Sequence, residues 1–264
     1  MKQKTIVMIL ACSACLQAQV PVDKAWSILS AAAQDKSYEK RGKAIQSLAS
    51  IPANARAQSM AEAALKDERE EVRAAAADSL GAMGAKGAIP KLQAAVRDPA
   101  TSVVFAASNA LFVMGDPSAY QVYYAVLTGQ KKSGDALVES QMKMLKDPKA
   151  LTKLGLEAGI GFIPFGGVSY KVLKMATDDA ASPVRAAAAM KLIHDPDPKT
   201  TQALGDMAKD PKWLVRAAVA GAIARRGDPS LLKAIVPLLD DENEVVKFNA
   251  AAAVIHLTKP AGKK

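Results

Sequence analysis

A motif that returns every 31 residues constrains this chain more than any other feature, because self-similarity at a fixed period implies supersecondary units stacked against one another. Asp67 to Gly84 reads DEREEVRAAAADSLGAMG, Asp98 to Gly115 reads DPATSVVFAASNALFVMG, and Asp210 to Gly227 reads DPKWLVRAAVAGAIARRG. Shorter copies begin at Asp179 and Asp241, so that Asp67 and Asp98, Asp179 and Asp210, and Asp210 and Asp241 each stand 31 residues apart. A weaker first copy begins at Asp35, with Lys40-Arg41 in the place of Val72-Arg73.

Each unit reads as two helices. An Asp carboxylate can accept hydrogen bonds from the free amides of a first helical turn, and Pro suits the first helical position, as in Asp98-Pro99 and Asp210-Pro211. Apolar residues follow at helical spacing, as in Val215, Ala218, Val219, Ala222 and Ile223, and give one face that neighbours must cover. Gly84, Gly115 and Gly227 stand where a left-handed cap ends a helix. A second apolar helix then runs back, from Ile89 to Val96 in one copy and from Leu231 to Leu239 in another. Such a hairpin cannot bury its own apolar face, so several must stack. Only 5% of residues are aromatic, while Ala74 to Ala77, Ala186 to Ala189 and Ala250 to Ala253 are unbroken runs of the strongest helix former. The chain is therefore expected to be all-α.

The string VRAAAADSLGAMGAKGAIPKL from Val72 to Leu92 resembles the HEAT repeats of the type found in phycobilisome lyases, and the likeness covers roughly residues 23–128 and 168–257. The resemblance implies a right-handed α-solenoid of six to seven two-helix HEAT-like repeats, curved so that its inner face binds partners. It also implies a repeated Asp and Arg that hold adjacent units together, roles that carry to Asp67, Asp179 and Asp210 and to Arg73, Arg185 and Arg216. Val104 departs from the pattern where an Arg would stand, and the last copy has Lys247. The lyase activity itself is not carried over, because the matching residues are packing residues.

The chain begins with different grammar. Lys2 and Lys4 precede an uncharged apolar stretch from Thr5 to Leu16, and Leu16-Gln17-Ala18 offers a cleavage site, so residues 1–18 are expected to be a signal peptide. A second reading takes Ile9-Leu10-Ala11-Cys12 as a lipobox with Cys12 lipidated, and only that reading places the mature chain on a membrane. Both cysteines, Cys12 and Cys15, lie inside the leader, which leaves no thiol for disulfides, catalysis or zinc after cleavage. The net charge of +9 falls to +7 without Lys2 and Lys4, and Lys259, Lys263 and Lys264 sit in a basic tail over 258–264. The expected location is the periplasm or the exterior, or the envelope as a lipoprotein.

Regular repeats are expected over 19–128 and 177–257, separated by an irregular Gly- and Pro-containing helical insertion over 129–176. Within it, Gly155 to Gly167 carries five Gly and one Pro together with Phe162 and Phe165. Those two residues are either a contact point for a partner or a filler beneath a gap between two halves of the solenoid. The basic pair Arg225-Arg226 is a second candidate for partner contact.

No catalytic constellation emerges. His194 and His256 are isolated, and there is no HExxH, GxSxG or Walker A spacing. Acidic pairs such as Asp178-Asp179 and Asp240-Asp241 fall at helix starts, where they complement the macrodipole. No cofactor or metal is expected. A pI near 9.4 raises nucleic acid as a partner, but no basic groove studded with aromatics accompanies it. The expected function is a non-catalytic, exported scaffold for a protein partner.

Overall fold

In a computed structural model of the protein, residues 21–120 and 181–258 are described. All regular structure among them is helical. A helix over 21–32 (α1) precedes α2 (Tyr38–Ser47), α3 (Ala55–Ala64), α4 (Glu70–Ala82), α5 (Ile89–Ala95) and α6 (Thr101–Val113). The second block holds α7 (Ala181–Lys191), α8 (Pro198–Met207), α9 (Trp213–Arg226), the short α10 (Leu232–Ile235) and α11 (Glu244–Leu257). No helix among the described residues is long and apolar enough to cross a membrane.

The start of each Asp-led helix corrects the expectation drawn from Asp-Pro. The Asp does not stand at the cap of the helix but two residues before it: Asp98 accepts from the Ala100 amide at 2.8 Å and Asp210 from the Lys212 amide at 2.9 Å, and the helices begin at Thr101 and Trp213. Asp35, Asp67 and Asp241 form the same turn with Ser37, Arg69 and Asn243. Pro99 and Pro211 therefore belong to the turn, where a fixed φ costs nothing. The sequence rule does hold at α8, where Asp197 caps the helix through the Lys199 amide and Pro198 is its first residue. At the other end, Gly84, Gly115 and Gly227 adopt φ of +62°, +75° and +68°, the left-handed conformation expected of them.

The helices form two layers. The Asp-led helices pack side by side in a front row, α2 with α4 and α4 with α6, and α7 with α9 and α9 with α11. Helices α3, α5, α8 and α10 pack behind them. Register explains the division: on α4, Val72, Ala76, Leu80 and Met83 are buried, while Ala82 and half-buried Ala75 and Asp78 lie on the opposite side. Small side chains let the rows approach closely. A Cβ at Gly81 would sit 2.8 Å from Ala110 of α6, so α4 and α6 touch backbone to side chain there.

The order of the row in space is not its order in the chain. Helix α11, from the last repeat, packs against α2 of the first, so the row runs α7–α9–α11–α2–α4–α6. Two ion pairs mark this junction, Lys24 with Asp240 at 2.5 Å and Lys40 with Glu244 at 3.5 Å. Burial agrees: Val245, Val246, Phe248, Ala250 to Ala253, Val254, Ile255 and Leu257 are all buried, and of α11 only Glu244, Lys247, Asn249 and His256 are not. A terminal repeat of an open solenoid needs a polar outer flank. Helix α11 is instead covered by α2.

Candidate interaction surface

At every front-row seam but the one between α11 and α2, one arginine binds the aspartate of the next repeat in the same two-point way. The Nε and Nη2 of Arg73 donate to the two carboxylate oxygens of Asp98 at 2.8 Å each, while Nη1 donates back to the Asp67 and Glu68 carbonyls at 2.9 and 3.1 Å. Arg216 holds Asp241 at 2.6 and 3.0 Å and the carbonyls of Asp210 and Pro211. Arg185 holds Asp210 at 3.0 and 3.3 Å. Planar two-point pairing fixes orientation as well as distance, so each guanidinium sets the pitch from one repeat to the next. Asp179 lies outside the described residues.

Three participants were not evident from the repeat alone. Arg41 of the weak first copy holds Asp67 at 2.7 and 2.8 Å, and Asp98 and Asp241 serve as acceptors. The signal was present, since Arg41 stands at the Arg73 position, but Lys40 beside it obscured the match. Electrostatics follow from the pairing. The bonds from Arg73 hold Asp98 below the usual carboxylate range, and burial alone would raise Asp67 and Asp241 but for the guanidiniums of Arg41 and Arg216, which hold both down.

Further bonds cross between front-row helices at carbonyls that helical geometry leaves accessible. Ser79 donates to the Ile45 carbonyl at 3.0 Å, Asn249 to Ala217 at 3.2 Å, and His256 donates from Nδ1 to Ala224 at 2.6 Å. His256 is thus a seam residue. Arg226, which the sequence offers for partner contact, donates from Nη1 to the Ile193 and Asp195 carbonyls at 3.1 and 2.6 Å and from Nη2 to Thr201 at 3.0 Å. Its position in the repeat is that of buried Met83, so the side chain points into the seam and ends on the carbonyls that close the preceding repeat. Arg225, one residue earlier, is half-buried, and desolvation draws its guanidinium below its ordinary range. Phe162 and Phe165 lie outside the described residues.

Among the described residues no cluster of His, Cys, Asp and Glu could hold a metal ion. An open groove of about 500 Å³ between α8 and α10 is lined by Thr201, Asp206, Lys209, Ser230, Leu231 and Lys233, a mixed polar and apolar set.

Paired helices stacked at a constant pitch by a repeated Arg–Asp bond define an α-solenoid repeat protein. Comparison with family models gives the same answer: the model for HEAT repeats matches residues 27–111, 59–130 and 170–255. The chain belongs to the HEAT-repeat family. No curated protein matches it.

Proposed function

We propose that this protein is an exported, non-catalytic scaffold of the cell envelope that offers its front row of helices to a protein partner. The observation that carries this reading is the seam chemistry. Arg41, Arg73, Arg185 and Arg216 are committed to holding repeats in register, and the partly exposed positions left on the side facing away from α3 and α5 lie on α2, α4 and α6, at Gln46, Ala75, Asp78, Ala82 and Asn109. Repeat proteins use such extended surfaces for macromolecules. The leader-like residues 1–18 support export, and the loss of both cysteines with them suits a mature domain that relies on packing rather than disulfides.

Affinity capture of the tagged protein from crosslinked envelopes of its native host tests the reading, with mass spectrometry of the captured proteins and of the bait's own N-terminus. A dominant envelope protein, captured by bait that starts near Gln19, is the expected result. Bait that retains residues 1–18 and brings down nucleic acid would replace it with a different function.

A further inference from the structure

The front face is not uniform. Gln46 on α2, Asp78 on α4 and Asn109 on α6 occupy the same position of three successive repeats, and all three are half-buried. The packing puts them in line. Ser79 bonds the carbonyl of Ile45, which brings the residues on either side of that bond, Asp78 and Gln46, abreast. Gly81 meets Ala110, which does the same for Asp78 and Asn109. In α7, α9 and α11 the equivalent positions are Met190, Gly221 and Ala252, so the polar stripe is confined to one half of the row.

None of the three side chains has a hydrogen-bond or ion-pair partner among the described residues. Asp78 is the most exacting. Burial raises its carboxyl from 3.8 to about 7, and among the described residues no guanidinium or ammonium opposes that shift. Helix α6 contributes no ionisable residue, Arg73 is engaged with Asp98, and Lys43 on α2 sits a turn away along the same side. A half-buried acid of this kind favours a ligand that brings its own positive charge.

Building on the scaffold reading, we propose that Gln46, Asp78 and Asn109 form a recognition stripe for an extended peptide segment of the partner, with a Lys or Arg of that segment seated on Asp78. The spacing suits extended chain, which at about 3.3 Å per residue crosses one helix every three residues and so meets one polar group at each crossing. Gln46 and Asn109 each offer both donor and acceptor, as a peptide backbone requires. The acid disfavours phosphate-rich ligands, so nucleic acid and anionic lipid are excluded from this stripe.

Selection of 12-residue peptides displayed on phage against the wild-type chain, and against Asp78→Asn, tests the proposal. Asn keeps the shape of Asp and removes the charge, and a melting curve at pH 4 that matches the wild type shows that the variant folds. Enriched peptides are expected to carry a basic residue whose replacement by citrulline or norleucine weakens binding at least tenfold to the wild type and not at all to D78N. Enrichment of peptides without a basic residue, equal binding to both proteins, or no enrichment overturns the stripe. Envelope capture separates its failure from that of the scaffold: a partner retained equally by wild type and D78N removes the stripe alone, whereas no partner with either removes both.

Discussion

Arg73 and Lys24 each face a carboxylate, and their surroundings decide what the pairs contribute. The side chains of Arg73 and Asp98 are 14% and 11% exposed, and truncating one strands a charge in a partly dry seam. Arg73→Ala is expected to cost about 2–4 kcal/mol in urea unfolding. Lys24 and Asp240 are 43% and 72% exposed, and Lys24→Ala should change stability by less than about 1 kcal/mol. Equal losses from the two would show that the ladder does not hold the repeats together. Asp78 carries a pH signature of the opposite sign to the paired acids. Its folded carboxyl titrates at about 7 against an ordinary 3.8, so the folded chain retains a proton that the unfolded chain releases between those values. Stability therefore falls as pH rises from about 4 through 7 and levels off above it. Asp78→Asn should be nearly neutral at pH 4 and stabilising by about 1–3 kcal/mol at pH 8, less than the full shift implies because the site is half open to solvent. Parallel stability curves for the two proteins across that range would show that Asp78 is not desolvated. At this scale the ladder was legible because the period aligns like with like. Arg226 was not, since a basic residue near a helix end reads as exposed unless its alignment with Met83 is given priority.

Among elements, small residues decide how near the helices come. Gly81 lies where α4 and α6 touch, and a Cβ at 2.8 Å from Ala110 can be accommodated only by pushing the helices apart. Gly81→Ala is expected to destabilise by about 1–3 kcal/mol. Gly42, within α2, has open space for 4 Å around the point where a Cβ would stand, so Gly42→Ala should stabilise by about 0.5–1 kcal/mol through helix propensity alone. Thermal melts of the two variants check the contrast, and a Gly81→Ala protein as stable as wild type would deny the close approach. Both glycines look alike in the sequence, mid-helix and flanked by helix formers, because the neighbour that distinguishes them comes from another repeat. The Asp-led turn was legible as a helix start but not as an Asx turn two residues early. The decisive partner of the carboxylate, an arginine from the preceding repeat, lies about 25 residues away, at Arg73 for Asp98 and Arg216 for Asp241.

In the molecule as a whole, the last repeat closes onto the first. Carbodiimide coupling should therefore join Lys24 to Asp240 and Lys40 to Glu244 in the monomer, read as crosslinked peptides by mass spectrometry. Ending the chain before Asn243 deletes α11 and bares flanks of both α2 and α9, so hydrogen-exchange protection in α2 should collapse although α2 itself is intact. Crosslinks absent from the monomer, or α2 protected without α11, would instead describe an open row beginning at the first repeat.

The sequence by itself determined the period, the helical class, the glycine-closed helix ends and the seam roles of Arg73, Arg185 and Arg216. These depend on backbone propensity, capping and a pattern that repeats within about thirty residues. Only the tertiary structure decided which repeat sits beside which, that Arg226 belongs to a seam, and that Asp78 is half-buried without a counter-ion among the described residues. The physical reason is that units so alike present nearly interchangeable flanks, and local sequence does not rank one neighbour over another. That choice is made by the complementarity of whole helix faces, in which α11 is buried by a helix more than two hundred positions earlier in the chain.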